Sequence, residues 1–473
     1  MNRTAASPES FWDCSLDDLE RWILPIAMAI TMALQIKVIL HSALALPLIA
    51  LMAILCWLTP ITGFFYIACA QFLPFPDGMP LNPAQVGVAT WIVVTLVRYR
   101  KMDLAGLGLL WPVMPWLIWF WLLSGERIYE PNSEYFKAIT YSVMACQLVN
   151  VAKGRHLKCM LGMSLGTIMA ATAFWAFQLG LGVDLSTWGG ERGGFARLGG
   201  VRADAVMIWP PLLMGSFGVL GVTLAAMVAG RFPAQIHKLK ILTVAAFFVC
   251  IPPLVATMTH GAYAGFALMS AFSVLFYLNM KKRKAIHNPD SGLMPMVLTL
   301  VVVFVVVYLT NAFGTRDRMV ALYDYYERTA DESGVAASRT DVWDYSIKTI
   351  IAHPFLGTRF NDEVEDIPLE YAEFGGYLSH NVFLDYGRAI GIPGMLSVAF
   401  FFFYPLVRLW RRPDNWRFMG FFLFHIALLI FWMSLSFQFY KTFWGFWMLA
   451  TMVAVREPVA LPHRRQTSLR IKL

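Results

Sequence analysis

The chain has 473 residues, of which 58% are hydrophobic and only 14% charged. Soluble proteins carry roughly 45–50% apolar and about 25% charged residues, so this chain has too little polar surface to be covered by water. Its net charge of +8 is distributed as for a bilayer protein rather than a nucleic-acid binder, and its long unbroken apolar runs exclude a barrel of short alternating strands.

Residues Met1 to Glu20 carry Asp13, Asp17, Asp18 and Glu20 and no apolar core. No cleavable signal peptide is expected, and the first span acts as its own insertion signal. A spanning helix needs about 20 apolar residues, or ~17–25 with tilt. On that rule, spans fall near 22–40, 43–58, 61–74, 84–99, 104–123, 135–151, 157–182, 204–229, 239–258, 261–279, 292–312, 382–408, 416–436 and 440–455. Thr59-Pro60 splits the stretch 38–75 into two short pieces, read either as two spans or as one span plus a re-entrant segment. The expected architecture is an all-α polytopic membrane protein of twelve to fourteen helices.

Orientation follows from Lys and Arg, which are costly to translocate. Alternate loops hold Arg98, Arg100 and Lys101; Lys153, Arg155 and Lys158; Arg231, Lys238 and Lys240; Lys281 to Lys284; and Arg408, Arg411, Arg412 and Arg417. With five more in the tail, Arg3 and Arg21, these make 24 of the 38 basic residues. Both termini and these loops are expected on the cytoplasmic side. The chain then divides into a cytoplasmic N-terminal segment (1–21), an N-terminal transmembrane bundle (22–312), a large periplasmic loop (313–379), C-terminal transmembrane helices (380–455) and a basic cytoplasmic tail (456–473). The large loop is too long for an ordinary connection and carries thirteen carboxylates against six Lys and Arg. Two helical stretches are expected in it: a Tyr-rich one over Arg316–Glu327, and one over Thr340–Ala352 capped by Ser338 or Thr340 and stopped by Pro354. The six cysteines, at 14, 56, 69, 146, 159 and 250, lie mostly inside apolar runs without a CxxC pair, which gives neither a disulfide framework nor a metal site.

The most informative stretch runs Leu378-Ser379-His380-Asn381-Val382-Phe383-Leu384-Asp385-Tyr386-Gly387-Arg388. Read as a helix, it puts His380, Leu384 and Arg388 on one face and makes Asp385 and Arg388 an i,i+3 pair. Ionisable groups at a membrane mouth usually face an interior cavity; the plainer reading has His380 capping a helix and Asp385–Arg388 as a structural pair. Gly391-Ile392-Pro393-Gly394 should break the helix. A second constellation, Gly189 to Asp204, holds Arg192, Arg197 and Arg202 among six glycines. Arginine forks match phosphate oxygens, and glycine lets the backbone approach an anion; the plainer reading is a solvated loop. Thr259-His260-Gly261 forms a third candidate before a small-residue helix face, where Gly261 and Gly265 read more readily as helix packing. A fourth is His353-Pro354-Phe355-Leu356-Gly357-Thr358-Arg359, with Arg339 upstream, read alternatively as a proline-fixed turn. There is no Walker A sequence, no GxGxxG after a strand and no HExxH. The acidic run Asp362–Asp366 reads as solvated surface rather than a cation site.

These pieces together resemble the O-antigen ligase and O-antigen polymerase superfamily of bacterial envelope glycosyltransferases. The resemblance rests on Ser338-Arg339 through Trp343, on His353-Pro354-Phe355-Leu356-Gly357, and on Ser379-His380-Asn381-Val382-Phe383-Leu384 followed by Gly391 and Gly394. It implies a GT-C-like helical bundle in the bacterial inner membrane that moves a glycan from undecaprenyl pyrophosphate to an acceptor hydroxyl, on a glycan or a lipid, at the periplasmic face. It also implies a loop histidine as base, matched by His380, and periplasmic arginines on the pyrophosphate, matched by Arg197 or Arg202. Two positions depart from the family pattern: Thr259-His260-Gly261 stands where Ser-Arg-Gly is usual, and Gly357-Thr358-Arg359 where Gly-Thr-Gly is usual.

The chemistry agrees. Pyrophosphate is a good leaving group, so fixed cations suffice to stabilise the developing charge and neither metal nor cofactor is called for. A hydroxyl is a poor nucleophile near neutral pH, and a histidine can take its proton during attack. The candidate catalytic residues are therefore His380, Asn381 and Asp385, and the candidate substrate contacts Arg192, Arg197, Arg202, His260, Arg339, Arg359 and Arg388. The partners expected are the lipid-linked donor, the acceptor and membrane lipids, with no nucleic acid. The competing reading is a flippase for lipid-linked oligosaccharide or another secondary transporter, which would place charged residues along a mid-membrane path.

Overall fold

A computed structural model describes residues 16–34, 44–70, 83–99, 111–124, 143–148, 156–181, 209–228, 239–257, 268–275, 337–358, 379, 381–411 and 417–432, with short pieces and isolated positions between them. The described residues form helices and no strand. In chain order the principal helices are α1 (Leu16–Leu34), α2 (Ala45–Trp57), α3 (Pro60–Ala70), α4 (Pro83–Val94, continued by a π-helical turn over Thr95–Tyr99), α5 (Met114–Ser124), α6 (His156–Leu181), α7 (Trp209–Val228), α8 (Lys240–Thr257), α9 (Ala337–Ala352), α10 (Val382–Trp410) and α11 (Arg417–Trp432). The expected runs near 135–151, 292–312 and 440–455 and the stretch 316–327 lie wholly or largely outside the described residues.

Among the described residues, α10 is the helix long and apolar enough to cross a bilayer, and six shorter apolar helices accompany it, in α2, α3, α4, α7, α8 and α11. The outer surface is apolar as well. Along α10, Ile392, Leu396, Phe400, Phe403 and Val407 are exposed at three- and four-residue spacing, while Tyr386, Ile390, Val398 and Phe401 are buried. Ile92, Val93, Leu96 and Val97 repeat the pattern at the end of α4. Apolar stripes of this kind facing outward belong to a lipid environment.

The split at Thr59-Pro60 is real. α2 and α3 have 13 and 11 residues, each shorter than the ~20 needed to cross alone. All eleven residues of α3 are buried, so its backbone ends are met by protein rather than lipid. Thr62 Oγ1 donates to the Cys56 carbonyl at 2.7 Å and lies 2.7 Å from Thr59 Oγ1, and Tyr66 Oη donates to the Pro83 carbonyl at 2.5 Å.

The α3 helix packs against α6 at very short range. Gly162 and Gly166, one turn apart on α6, lie so close to the Ile61 and Phe65 carbonyls that a Cβ at either would overlap them. Where lipid removes most of the hydrophobic drive between helices, such close backbone approach supplies the packing energy. At one end of this bundle Glu20 of α1 and Lys158 of α6 form a buried ion pair at 2.7 Å. On the other side, α7 packs on α8 through the stacked rings of Phe217 and Phe247, 4.7 Å apart, and on α11. The α5 helix lies along α10, where Trp116 meets Tyr386 and Phe401 edge-on or tilted, and Trp111 just before it meets Phe400 and Tyr404.

Candidate functional site

The α10 helix begins one residue after Asn381, an extended residue whose side-chain oxygen accepts the backbone N–H groups of Phe383 at 3.0 Å and Leu384 at 3.3 Å. It is an N-cap of the usual kind, satisfying donors that the first helical turn leaves open. His380 therefore precedes the helix, and the expectation that it shares a helical face with Leu384 and Arg388 is corrected. The cap is Asn381, not His380.

The expected pairing of Asp385 with Arg388 is corrected too. One turn into the helix, the buried Asp385 carboxylate reaches back and accepts both the backbone N–H of Ser379, at 2.8 Å, and its hydroxyl, at 2.6 Å. A short, charge-assisted pair near a helix N-terminus is favoured by the partial positive charge there. The Ser379 carbonyl accepts the indole N–H of Trp343 on α9 at 2.8 Å, and the Ser379 hydroxyl oxygen accepts the Asn381 N–H at 3.2 Å. The residues on both sides of position 380 are thus braced from α10 and α9 together.

Arg388 takes a different partner. Its guanidinium carbon lies 5.9 Å from the ring centre of Tyr345, over the face of the ring, an arrangement that favours a cation. Its Nη1 is buried without a hydrogen-bond partner among the described residues.

One turn further the helix breaks. Ile390 (φ −133°, ψ 19°) and Gly391 (φ 73°, ψ 178°) leave helical geometry, as Gly391-Ile392-Pro393-Gly394 suggests. The turn His353–Thr358 docks into the gap. Thr358 N–H donates to the Arg388 carbonyl at 2.8 Å and Ile392 N–H to the Pro354 carbonyl at 2.7 Å. From the far side the Trp119 indole N–H reaches the Ile390 carbonyl at 2.7 Å. Backbone groups released by a break must be satisfied, and the docked turn and α5 do so here with three hydrogen bonds. Gly357 (φ 61°) and Gly391 both have positive φ. A Cβ on Gly357 would meet the Arg388 oxygen at 2.5 Å, and one on Gly391 the Phe355 oxygen at 2.5 Å. His353-Pro354 opens a fixed turn: His353 is exposed and its backbone continues the end of α9. The α9 helix begins at Ala337, so Ser338 and Thr340 stand in its first turn rather than capping it.

Of the candidates, Asn381 caps α10 and Asp385 and Arg388 stand on its first two turns. Arg339 lies in the first turn of α9, four positions before Trp343, and its side chain is outside the described residues. His380, Arg192, Arg197, Arg202, His260 and Arg359 also lie outside them. The sequence reading left Ser379, Trp343, Tyr345, Thr358 and Trp119 without a role. Ser379 and Trp343 are inside the quoted stretches, but Trp119 pairs across 271 positions, beyond the reach of any local pattern.

Residues 242–399, which run from α8 through α9 and the docked turn to the broken part of α10, match the O-antigen ligase family model. This segment is similar to the O-antigen ligase family. No curated protein matches the chain. The matched segment spans about a third of the 473 residues and contains the brace around position 380, Arg388 and both positive-φ glycines; Trp119 belongs to the part of the chain before it. The similarity supports a membrane glycosyltransferase of ligase or polymerase type in the bacterial inner membrane, with lipid-linked glycan and acceptor substrates.

Proposed function

We propose that this protein transfers a glycan from undecaprenyl pyrophosphate to an acceptor hydroxyl at the periplasmic face, with inversion and without a metal. The observation that carries this reading is the brace: Asp385, Trp343 and Asn381 fix the residues flanking His380, with Arg388 on the same helix. His380 takes the proton of the acceptor hydroxyl as its oxygen attacks the anomeric carbon. The bond from that carbon to the pyrophosphate oxygen breaks, and undecaprenyl pyrophosphate leaves with the electron pair. Direct displacement inverts the centre. Asn381 and Asp385 hold the base segment. Arg388 and Arg339 contact the diphosphate, joined by Arg192, Arg197, Arg202, Arg359 and His260 from their loops. Cations held in a water-poor site stabilise the charge that develops on the leaving group.

The same reading gives twelve to fourteen spans, both termini in the cytoplasm, and the division 1–21, 22–312, 313–379, 380–455 and 456–473, with 313–379 outside. Reporter fusions in the loop at 281–284 and in the loop at 313–379 should report opposite sides.

The test is transfer by purified protein supplied with undecaprenyl-pyrophosphate-linked glycan in EDTA, scored separately for chain growth and for transfer to an added acceptor. His380→Ala, at wild-type abundance, should lower the rate about 10²–10⁴-fold, the usual contribution of a positioned base. Full activity of that variant would remove His380 from the mechanism, and dependence of the wild type on divalent metal would remove the metal-free reading. A flippase would instead move intact donor across vesicles without forming a glycosidic bond.

A further inference from the structure

The outward side of α9 carries two neighbouring rows of unlike residues. At 3.6 residues per turn, Asp344 and Lys348 lie on one, joined in an i,i+4 pair at 2.7 Å. Ile347 and Ile351 lie on the other, 45% and 70% exposed, and the docked turn extends them with Phe355 at 70% and Leu356 at 49%. This apolar row does not end at the turn. The Ile392 N–H to Pro354 carbonyl bond joins the turn to α10, and at that level begins the outward apolar stripe of α10, Ile392, Leu396 and Phe400. The surface is continuous from the loop helix onto the helix that crosses the bilayer.

Exposed large apolar side chains that continue the outward stripe of a bilayer-crossing helix mark a surface that rests in a membrane interface, its apolar side ~5–10 Å into the headgroup and acyl boundary. We propose that α9 and the turn His353–Thr358 are seated in the bilayer interface, with Ile347, Ile351, Phe355 and Leu356 against the acyl chains of membrane lipids and Asp344 and Lys348 at the water. The segment between the spans is then held down on the lipid along this strip rather than standing free in solution. Because Trp343 on the same helix carries the Ser379 carbonyl, seating α9 fixes the depth of the α10 N-terminus near lipid headgroups, where the diphosphate of a membrane-anchored substrate is found. The lipid seat does not depend on His380 or on any catalytic role; only its bearing on substrate rests on the proposed function.

The test uses full-length protein in nanodiscs of phosphatidylethanolamine and phosphatidylglycerol. An environment-sensitive NBD label is placed at Ile351→Cys, at Leu356→Cys as a second position in the same strip, and at Asp344→Cys in the charged row, with unsubstituted protein as the labelling blank. Lipid carrying a doxyl group high in the acyl chain should quench labels 351 and 356 about twofold or more, with blue-shifted emission, and leave label 344 close to its value in water. Absence of quenching at both 351 and 356 overturns the proposal. So does quenching only after polyprenyl diphosphate is added, which makes the occupant the substrate's own tail, or a shift that disappears in discs holding a single copy, which makes it a second chain. Loss of glycan transfer by the wild type would leave the quenching result standing and would count against the proposed function alone.

Discussion

The contact between α3 and α6 and the contact between α9 and α10 join helices in opposite ways. In the first, two regular helices approach until glycines receive a neighbour's carbonyls, and the energy is van der Waals contact. In the second, one helix is capped, braced and then broken, and hydrogen bonds from Trp343, the docked turn and Trp119 hold the break and the residue before the cap. A packed contact tolerates no added atom but sets no chemistry. A bonded break adds direction, because each bond determines where a particular residue stands. Variants in the first region should therefore remove protein, and variants in the second should remove activity from protein that remains.

The largest loss of stability is expected for Gly162→Val. The added atoms run into the Ile61 carbonyl, which the buried α3 backbone has no room to yield, and overpacking of this kind costs about 1–3 kcal/mol or more. Abundance in the membrane and the thermal melt in detergent should both fall, while transfer per surviving molecule stays at the wild-type rate. A per-molecule rate that fell with abundance would break the contrast between the regions.

Asp385→Ala comes next. It strips the acceptor from the buried Ser379 N–H and hydroxyl, at about 1–3 kcal/mol for the stranded groups. Its effect on transfer should exceed its effect on the melt, and Asp385→Asn, which keeps one acceptor oxygen, should recover part of the rate. Equal rates for Ala and Asn would mean that the brace is not what the reaction uses.

Gly391→Ala should cost about 1–3 kcal/mol for a side chain in a region of φ and ψ open essentially to glycine alone, with the Phe355 oxygen also in its way. Its sharper readout is the docked turn. A disulfide or short crosslinker between cysteines introduced at Thr358 and Ala389 should form readily in the wild-type background and slowly in this variant.

The smallest effect belongs to Trp119→Phe, which keeps an aromatic ring against α10 and removes only the N–H donor to Ile390. About 0.5–1.5 kcal/mol is expected for one such bond, seen as a modest fall in melting temperature with normal abundance.

Much of the molecule could be read one segment at a time. The apolar runs near 157–182, 204–229, 239–258 and 382–408 correspond to α6, α7, α8 and α10 within a few residues, because a run of apolar residues in a bilayer has little choice but to be helical. The break at Thr59-Pro60 and the one at Gly391 were visible for the same local reason. The candidate site was legible only in part. The His-Asn stretch stood out, yet its internal pairing was misjudged: spacing offered Asp385 an arginine three residues on, while the folded chain gave it Ser379 six residues back. An i,i+3 rule assumes that a helix continues through both partners and that no stronger acceptor or donor competes. The helix starts at Val382, and a backbone N–H and a hydroxyl presented together outbid a guanidinium that could turn to Tyr345.

Composition and local spacing were enough to make the described residues helical, to mark where the helices break, and to single out the stretch from Ser379 to Arg388, since all of these depend on the solvent and on neighbours within one or two turns. Which donors satisfy the break in α10, which residue Asp385 holds, and that α5, α9 and α10 meet at one point depended on bonds between residues up to 271 positions apart. Those bonds exist only once the bundle has placed their partners within 3 Å, a condition that no local pattern of residues encodes.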